Sequence, residues 1–267
     1  MTKYELGVIG GGNMGEAIVR GVIRAGVLAT DQIIVADPSP QRQAAISATG
    51  VACVADNTAA AGCGRILLAV KPQVMPAVLD EIAASVAPDA LVISIAAGVR
   101  SESIEARLGG RGRIVRVMPN TPMLVGAGVA AVAAGPRATQ ADIDWTVRLF
   151  GACGTTIVVP EEMMDAVTAV SGSGPAYLFY LIEAMIAAGE AEGLDHDVAA
   201  SLATQACAGA AKLLAESGKT PEALRAAVTS PGGTTQRAIE TMEAAGVKAA
   251  LIQAIRDAAH RSRELSR

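Results

Sequence analysis

Two glycine-bearing segments of this 267-residue sequence hold residue types whose spacing implies chemistry. The first, Gly10-Gly11-Gly12-Asn13-Met14-Gly15, fits G-x-G-x-x-G directly after the apolar run Leu6–Ile9 and at the opening of a helical pattern. Gly10 permits a tight turn, Gly12 lets backbone approach a pyrophosphate, and Gly15 lets helix and strand pack closely. Gly10, Gly12, Asn13, Met14 and Gly15 are therefore candidates for holding a dinucleotide. The second segment, Val228-Thr229-Ser230-Pro231-Gly232-Gly233-Thr234-Thr235, interrupts an alanine-rich half that otherwise reads as helix. Pro231 pins the chain, Gly232 and Gly233 remove side chains, and the loop runs into a helix beginning near Thr234. Backbone N–H groups at a helix start attract a carboxylate, so this loop suits a small anionic acid without an arginine clamp.

Further candidates sit near the ends of apolar runs, the edge where ligands bind in open α/β sheets. Asp37 follows the second run, where a carboxylate bonds the ribose hydroxyls of NAD and repels a 2′-phosphate. Ser39 and Arg42 follow closely, and Arg42 offers a positive charge to that phosphate, so NADPH also fits if Asp37 turns outward. Alternatively, Asp37 caps the next helix beside Pro38. Asn57 is a further candidate cofactor contact. Ala69-Val70-Lys71-Pro72 ends one run, and Ala96 and Ala97, before Gly98, end another with side chains small enough for a flat ring to lie against backbone. Asn120, in Met118-Pro119-Asn120-Thr121-Pro122, offers a donor and an acceptor to a nicotinamide ribose or carboxamide, or else braces its own Pro-x-x-Pro turn.

The elements that position these residues fall into two unlike halves, expected as 1–160 and 161–267. In the first, strands are expected at 6–9, 33–36, 66–70, 91–95, 114–118, 129–133 and 156–159. They alternate with helices at 13–25, 73–86 and 139–150, the rhythm of a doubly wound, mostly parallel α/β sheet. In the second half all elements read as helix: Ser173 caps one with Pro175 in its first turn, Asp195 or Asp197 starts the next, and Thr220-Pro221 opens a third. Gly246 separates 235–245 from a last helix. These helices are rich in alanine and poor in large side chains, so alone they bury little apolar area, and a second copy of the chain is expected to complete them.

Composition excludes several classes. A net charge of −4 with interleaved signs leaves no footprint for nucleic acid or an anionic membrane surface. The four cysteines have no Cys-x-x-Cys spacing and only two histidines could join them as ligands, so they read as reduced core thiols and no metal is expected. No uninterrupted apolar run approaches about 18 residues, and no signal pattern opens the sequence, so a cytoplasmic, soluble protein is expected.

Val170-Ser171-Gly172-Ser173-Gly174-Pro175-Ala176-Tyr177, followed by Pro221, Leu224, the 228–235 loop, Ala238 and Ile239 in order and spacing, resembles the pyrroline-5-carboxylate reductase family over essentially the whole chain. The resemblance implies an N-terminal Rossmann domain and a helical C-terminal domain that interlocks with a partner subunit, often within larger rings of dimers. It implies NAD(P)H-dependent reduction of the cyclic imine 1-pyrroline-5-carboxylate to L-proline, the last step of proline biosynthesis, with NADPH the expected cofactor and NADH an alternative. Asp37 departs from the neutral or basic residue of NADPH-preferring members.

A cyclic imine is basic enough to be protonated, and the protonated form is already a hydride acceptor, so no histidine or carboxylic acid is required and a hydroxyl hydrogen-bonded to the ring nitrogen, directly or through water, suffices. Thr235 is the candidate by position and by the resemblance. Thr229, Ser230, Gly232, Gly233 and Thr234 are expected to hold the acid; Thr234 or Thr235 also caps its helix on the plainer reading. Ser171 and Ser173 are expected near the nicotinamide. Two other functions remain open: a β-hydroxyacid dehydrogenase, which needs a base that the lysine- and histidine-free stretch Ser171–Gly189 lacks, and a non-catalytic dinucleotide-binding sensor.

Overall fold

A computed structural model describes residues 3–265. Eight strands form one sheet: β1 (Leu6–Ile9), β2 (Ile33–Ala36), β3 (Ala52–Val54), β4 (Arg65–Leu68), β5 (Leu91–Ser94), β6 (Arg113–Met118), β7 (Gly128–Ala134) and β8 (Gly154–Val158). Their order is β3-β2-β1-β4-β5-β6-β7-β8. Every neighbouring pair is parallel except β6–β7, which is antiparallel. The helices of this half are α1 (Asn13–Arg24), α2 (Pro40–Ser47), α3 (Asn57–Ala61), α4 (Met75–Ile82), α5 (Ser101–Arg107), α6 (Gln140–Gly151) and the single turn α7 (Met164–Val167).

Four-residue strands such as Leu-Gly-Val-Ile in β1 and Ile-Ile-Val-Ala in β2 are buried along their whole length, as strands covered on both faces must be. Successive side chains point to opposite faces. Leu6 and Val8 accordingly join Ile18, Val22, Leu149 and Phe150 from α1 and α6, whereas Ile9 joins Met75, Leu79, Ile82 and Ile104 from α4 and α5. Each such fully buried side chain contributes about 1.5–3 kcal/mol.

The chain divides into two compact units. Residues 1–173 together with 258–267 make the first, and Gly174–Asp257 the second. The second contains α8 (Gly174–Ala191), α9 (His196–Ser217), α10 (Pro221–Ala227), α11 (Thr234–Ala244) and most of α12 (Val247–Leu265). Its punctuation is strong. Asp195 is the N-cap of α9, Gly218 closes it at φ +65°, and the Thr220 hydroxyl accepts the Ala223 N–H to start α10 at Pro221. Gly246, at φ +70°, breaks α11 from α12. Such positive φ values favour glycine. Gly189 brings α8 close to α9, where an added Cβ would lie 3.1 Å from that of Ala199.

Packing within this helical unit is sparse. Among its described residues only Ala199 and Ala203 are buried hydrophobics, while Leu178, Phe179, Tyr180, Leu181, Leu202, Leu213, Leu251 and Ile252 are exposed. Helix α9 is also long and apolar enough to cross a membrane by length and composition, with a mean hydropathy of 1.3 over its most apolar stretch. The expectation of no such segment overlooked alanine, which scores as apolar while leaving the small-residue surface that helix pairing uses.

The structure departs from the expected elements at definite places. Strand β3 was not anticipated; its three half-buried residues pair only with β2 and show no periodicity. Helix α4 is shorter than 73–86, because Lys71–Val74 forms a turn in which the Val74 N–H bonds the Lys71 carbonyl. Ser173 is no N-cap: at φ −86°, ψ −17° it continues a π-helical turn over Thr168–Gly172 into α8. Other strand ends differ from expectation by one or two residues, the usual scatter of boundaries.

Candidate active site

At the first glycine turn the three glycines behave differently, each for a reason visible in its surroundings. Gly10 sits at φ +106°, and a Cβ there would lie 2.7 Å from the Ala69 carbonyl. Gly15 is closed off too, since its Cβ would be 2.2 Å from the Gly10 carbonyl oxygen. Gly12, by contrast, has nothing within 4 Å of an added Cβ and is the extended N-cap of α1 with no side-chain cap. Open space over uncapped N–H groups, backed by a turn that two glycines make possible, is the cradle a pyrophosphate requires. The residues present therefore fit a dinucleotide, with Asn13 and Met14 opening the helix beside it.

Asp37 stands at the end of β2 with its carboxylate turned onto this cradle. Its Oδ2 accepts the Gly11 N–H at 2.8 Å and its Oδ1 the Ser39 N–H at 2.9 Å. Helix α2 is capped by the Ser39 hydroxyl rather than by Asp37. Arg42 donates from Nε to the Gly11 carbonyl at 2.7 Å and from Nη2 to Glu16 at 3.0 Å. Asn57 opens α3 and its amide donates to Glu81 at 2.8 Å.

The other candidates line the carboxyl edge of the sheet. Ala69 follows β4, its N–H bonded to the Ile9 carbonyl at 2.8 Å; Val70, an exposed Lys71 and Pro72 follow it. Ala96 is buried beyond β5 and Ala97 half-buried. Asn120, nearly buried, spends its amide on the scaffold: Oδ1 accepts the Val129 N–H at 2.9 Å and Nδ2 donates to the Ser171 carbonyl at 3.2 Å. It thus braces the start of β7 and the π-helical turn rather than its own Pro-x-x-Pro turn, to whose start it gives no side-chain cap. Ser171 donates its hydroxyl to the Val167 carbonyl at 3.0 Å, and Ser173 lies half-buried two residues on. Single π turns recur at functional sites; this one carries Ser171 and is followed directly by Ser173.

Sequence reasoning missed the ionic cluster behind this edge. Glu161 accepts the Ser101 N–H at 2.8 Å, the Ser101 hydroxyl, and Arg116 Nη1 at 2.9 Å. Burial works against its charge, but these hydrogen bonds and the Arg116 charge prevail and lower its pKa. Asp165 meanwhile accepts from the Ser262 hydroxyl at 2.6 Å, tying 258–265 to the first unit. Partners 60 and 97 residues apart leave no local sequence signal.

The 228–235 loop lies in the helical unit. Gly232 takes φ +69°, and its N–H donates to the Gln236 side chain at 2.7 Å. Gly233 is the N-cap of α11 and offers no side chain, so the first-turn N–H groups of Thr234, Thr235 and Gln236 stay open. Thr229 is turned away, its hydroxyl bonded to the Arg225 carbonyl at 2.6 Å. Ser230 accepts the Gly233 N–H on its carbonyl at 3.0 Å, and Thr235 is half-buried at the helix mouth.

A doubly wound sheet with an open glycine cradle, joined to an alanine-rich helical unit with an anion-ready loop, defines a dinucleotide-dependent oxidoreductase with a dimerisation domain. Residues 161–265 match the family described as pyrroline-5-carboxylate reductase dimerisation, and residues 5–98 the family described as NADP oxidoreductase, coenzyme F420-dependent. The chain is 40% identical to the pyrroline-5-carboxylate reductase of Methanosarcina acetivorans, with all of both chains covered. Among solved structures it is similar to the pyrroline-5-carboxylate reductase of Coxiella burnetii (TM-score 0.92, 36% identity, all of both chains covered). It is also similar to the pyrroline carboxylate reductase of Plasmodium falciparum with NADP bound (TM-score 0.87, 30% identity, all of both chains). The chain belongs to the pyrroline-5-carboxylate reductase family of NAD(P)H-dependent oxidoreductases.

Proposed function

We propose that this chain reduces 1-pyrroline-5-carboxylate to L-proline, with residues 1–160 holding the dinucleotide and 161–267 serving dimerisation and substrate binding. The observation that carries the substrate assignment is the uncapped start of α11 behind Gly232 and Gly233. The N–H groups of Thr234 and Thr235 receive the substrate carboxylate there, with Ser230 and Thr229 shaping the loop. The attraction of a helix start is worth about 0.3–1 kcal/mol, or ~2 when partly buried, enough to orient the acid rather than activate it.

A bound NAD(P)H supplies the hydride that forms the new C–H bond at the imine carbon. The chain's own task is to place the imine in its protonated form, whose ring nitrogen receives the electron pair of the broken C=N π bond as a lone pair. Thr235 hydrogen-bonds that nitrogen, directly or through a water, and holds the protonated ring in the reactive orientation. Holding the imine carbon against the hydride donor contributes about 7–11 kcal/mol, far more than any one hydrogen bond, so no histidine or carboxylic acid is needed. Ser171, on the π-helical turn that Asn120 braces, and Ser173, just after it, shape the nicotinamide side, and Ala96, Ala97 and Lys71 border it.

The active form is a homodimer through the C-terminal helices, working in the cytoplasm; assembly of dimers into larger rings is the finer form of this reading. Following NADPH and NADH oxidation with pyrroline-5-carboxylate as substrate tests the reaction. Turnover with the imine supports it, and turnover only with a β-hydroxy acid, or none at all, overturns it. Sedimentation distinguishes dimer from ring, and a monomer at micromolar concentration removes the assembly.

A further inference from the structure

The cradle carries a charge arrangement that bears on which dinucleotide it holds. Asp37 is only 9% exposed, and it is clamped in place. Its N–H donates to the Val54 carbonyl at 3.0 Å, its carbonyl accepts from the Gln43 side chain at 2.8 Å, and its carboxylate accepts the Gly11 and Ser39 N–H groups. Turning the carboxylate outward would strip the Gly11 N–H of its acceptor inside the turn itself, so the inward position is the stable one. A carboxylate has about four acceptor positions, and the two backbone donors use two of them. The remainder accept hydroxyl protons, and the retained negative charge repels a phosphate.

The positive charge that would offset this repulsion is already engaged. Arg42 points Nε at the Gly11 carbonyl and Nη2 at Glu16. Glu16 in turn accepts from Arg20 at 2.8 Å, so both arginines converge on one carboxylate. Asp37 itself is met by two neutral backbone N–H groups. An arginine held between a carbonyl and a carboxylate must give up one of them before it grips a phosphate.

We infer that Asp37 is the residue that sets dinucleotide choice in this chain, weakening the hold on the 2′-phosphate of NADPH so that NADH binds at least as tightly. The inference rests on the proposed dinucleotide-dependent reduction and deepens it. Asp37 acts on the adenosine ribose, by accepting its hydroxyl protons and by its charge.

Dissociation constants for NADH and NADPH, measured by calorimetry on the full-length wild type, Asp37→Ser, Asp37→Asn and Arg42→Ala, test this without recourse to turnover. The wild type is expected to bind NADH at least as tightly as NADPH. Both Asp37 variants should shift the ratio of the two constants toward NADPH by about tenfold or more. Asp37→Asn keeps the shape and one acceptor while removing the charge, so it gives the answer even if the smaller serine loosens the turn. Arg42→Ala is expected to weaken NADPH no more than NADH. A wild type that binds NADPH more tightly than NADH, or Asp37 variants with an unchanged ratio, would overturn the inference while leaving the proposed reaction standing. Binding of neither dinucleotide would overturn both.

Discussion

Arg116 Nη1 donates to Glu161 Oε1 at 2.9 Å, linking β6 to the residue that opens the path into α7. The Arg116 side chain is 10% exposed and that of Glu161 23%, and the carboxylate also receives the Ser101 N–H and hydroxyl. Glu161→Ala leaves the guanidinium and two donors short of their acceptor, and is expected to destabilise the first unit by about 1.5–3 kcal/mol. Glu161 has a lowered folded pKa, so its contribution is present above its ordinary value and is lost as pH falls below it. Thermal unfolding across pH 3–7 checks this: the gap between wild type and variant should narrow toward the acid end.

A second carboxylate gives the same sign with a defined window. Asp142 closes a capping box with Thr139 and pairs with Arg113 at 2.7 and 2.9 Å. Its burial opposes charge, yet the bonds from Arg113 and Thr139 outweigh that and hold its pKa at about 2, against 3.8 ordinarily. A depression of this size corresponds to about 2 kcal/mol, fully present above pH 4 and lost as pH falls through about 2. Asp142→Asn should therefore unfold earlier in urea at pH 7, and by progressively less as the solution is taken toward pH 2.

The glycines of the cradle separate folding from binding. Gly12→Val meets nothing within 4 Å of its Cβ and has an ordinary φ of −67°, so its stability cost should be limited to about 1 kcal/mol, that of valine replacing glycine at an N-cap. The new side chain fills the phosphate space, and dinucleotide affinity should fall by about tenfold or more. Gly15→Ala forces its methyl against the Gly10 carbonyl and should instead lower the melting temperature. Calorimetric titration beside thermal denaturation distinguishes the two; equal effects on both quantities for both variants would contradict the assignment.

Thr235→Ala should lower kcat by about 10- to 100-fold, the worth of one lost hydrogen bond in a desolvated site, and raise KM for the imine less. Thr235→Ser keeps the hydroxyl and should recover most of the turnover. Steady-state kinetics with pyrroline-5-carboxylate check it, and an unchanged kcat in the alanine variant would remove Thr235 from the chemistry.

Much of this was legible locally. The limits of β1 and β2 follow from short β-branched and aliphatic runs, and the starts of α9, α10 and α12 from Asp195 or Asp197, Thr220-Pro221 and Gly246, because caps and glycines act within a turn of chain. The reversal of β7 was not, since strand direction is set by the path of Thr121–Ala127 and by pairing with β6, neither of which leaves a periodicity. For Asp37 the residue type pointed to the ribose, but only the fold shows its carboxylate on Gly11 and Arg42 already taken by Glu16. Asn120 was recognised as a two-ended group; that its two ends meet Val129 and Ser171 is a tertiary fact.

The thinly packed helical unit carries one more implication. In a two-fold pairing of identical helices, each residue of the shared face occurs on both sides of the axis. A single codon change at Leu202 or Phe179 would then alter two places at once, doubling its gain or its damage. Drift on that surface should be slower than its solvent exposure in one protomer suggests.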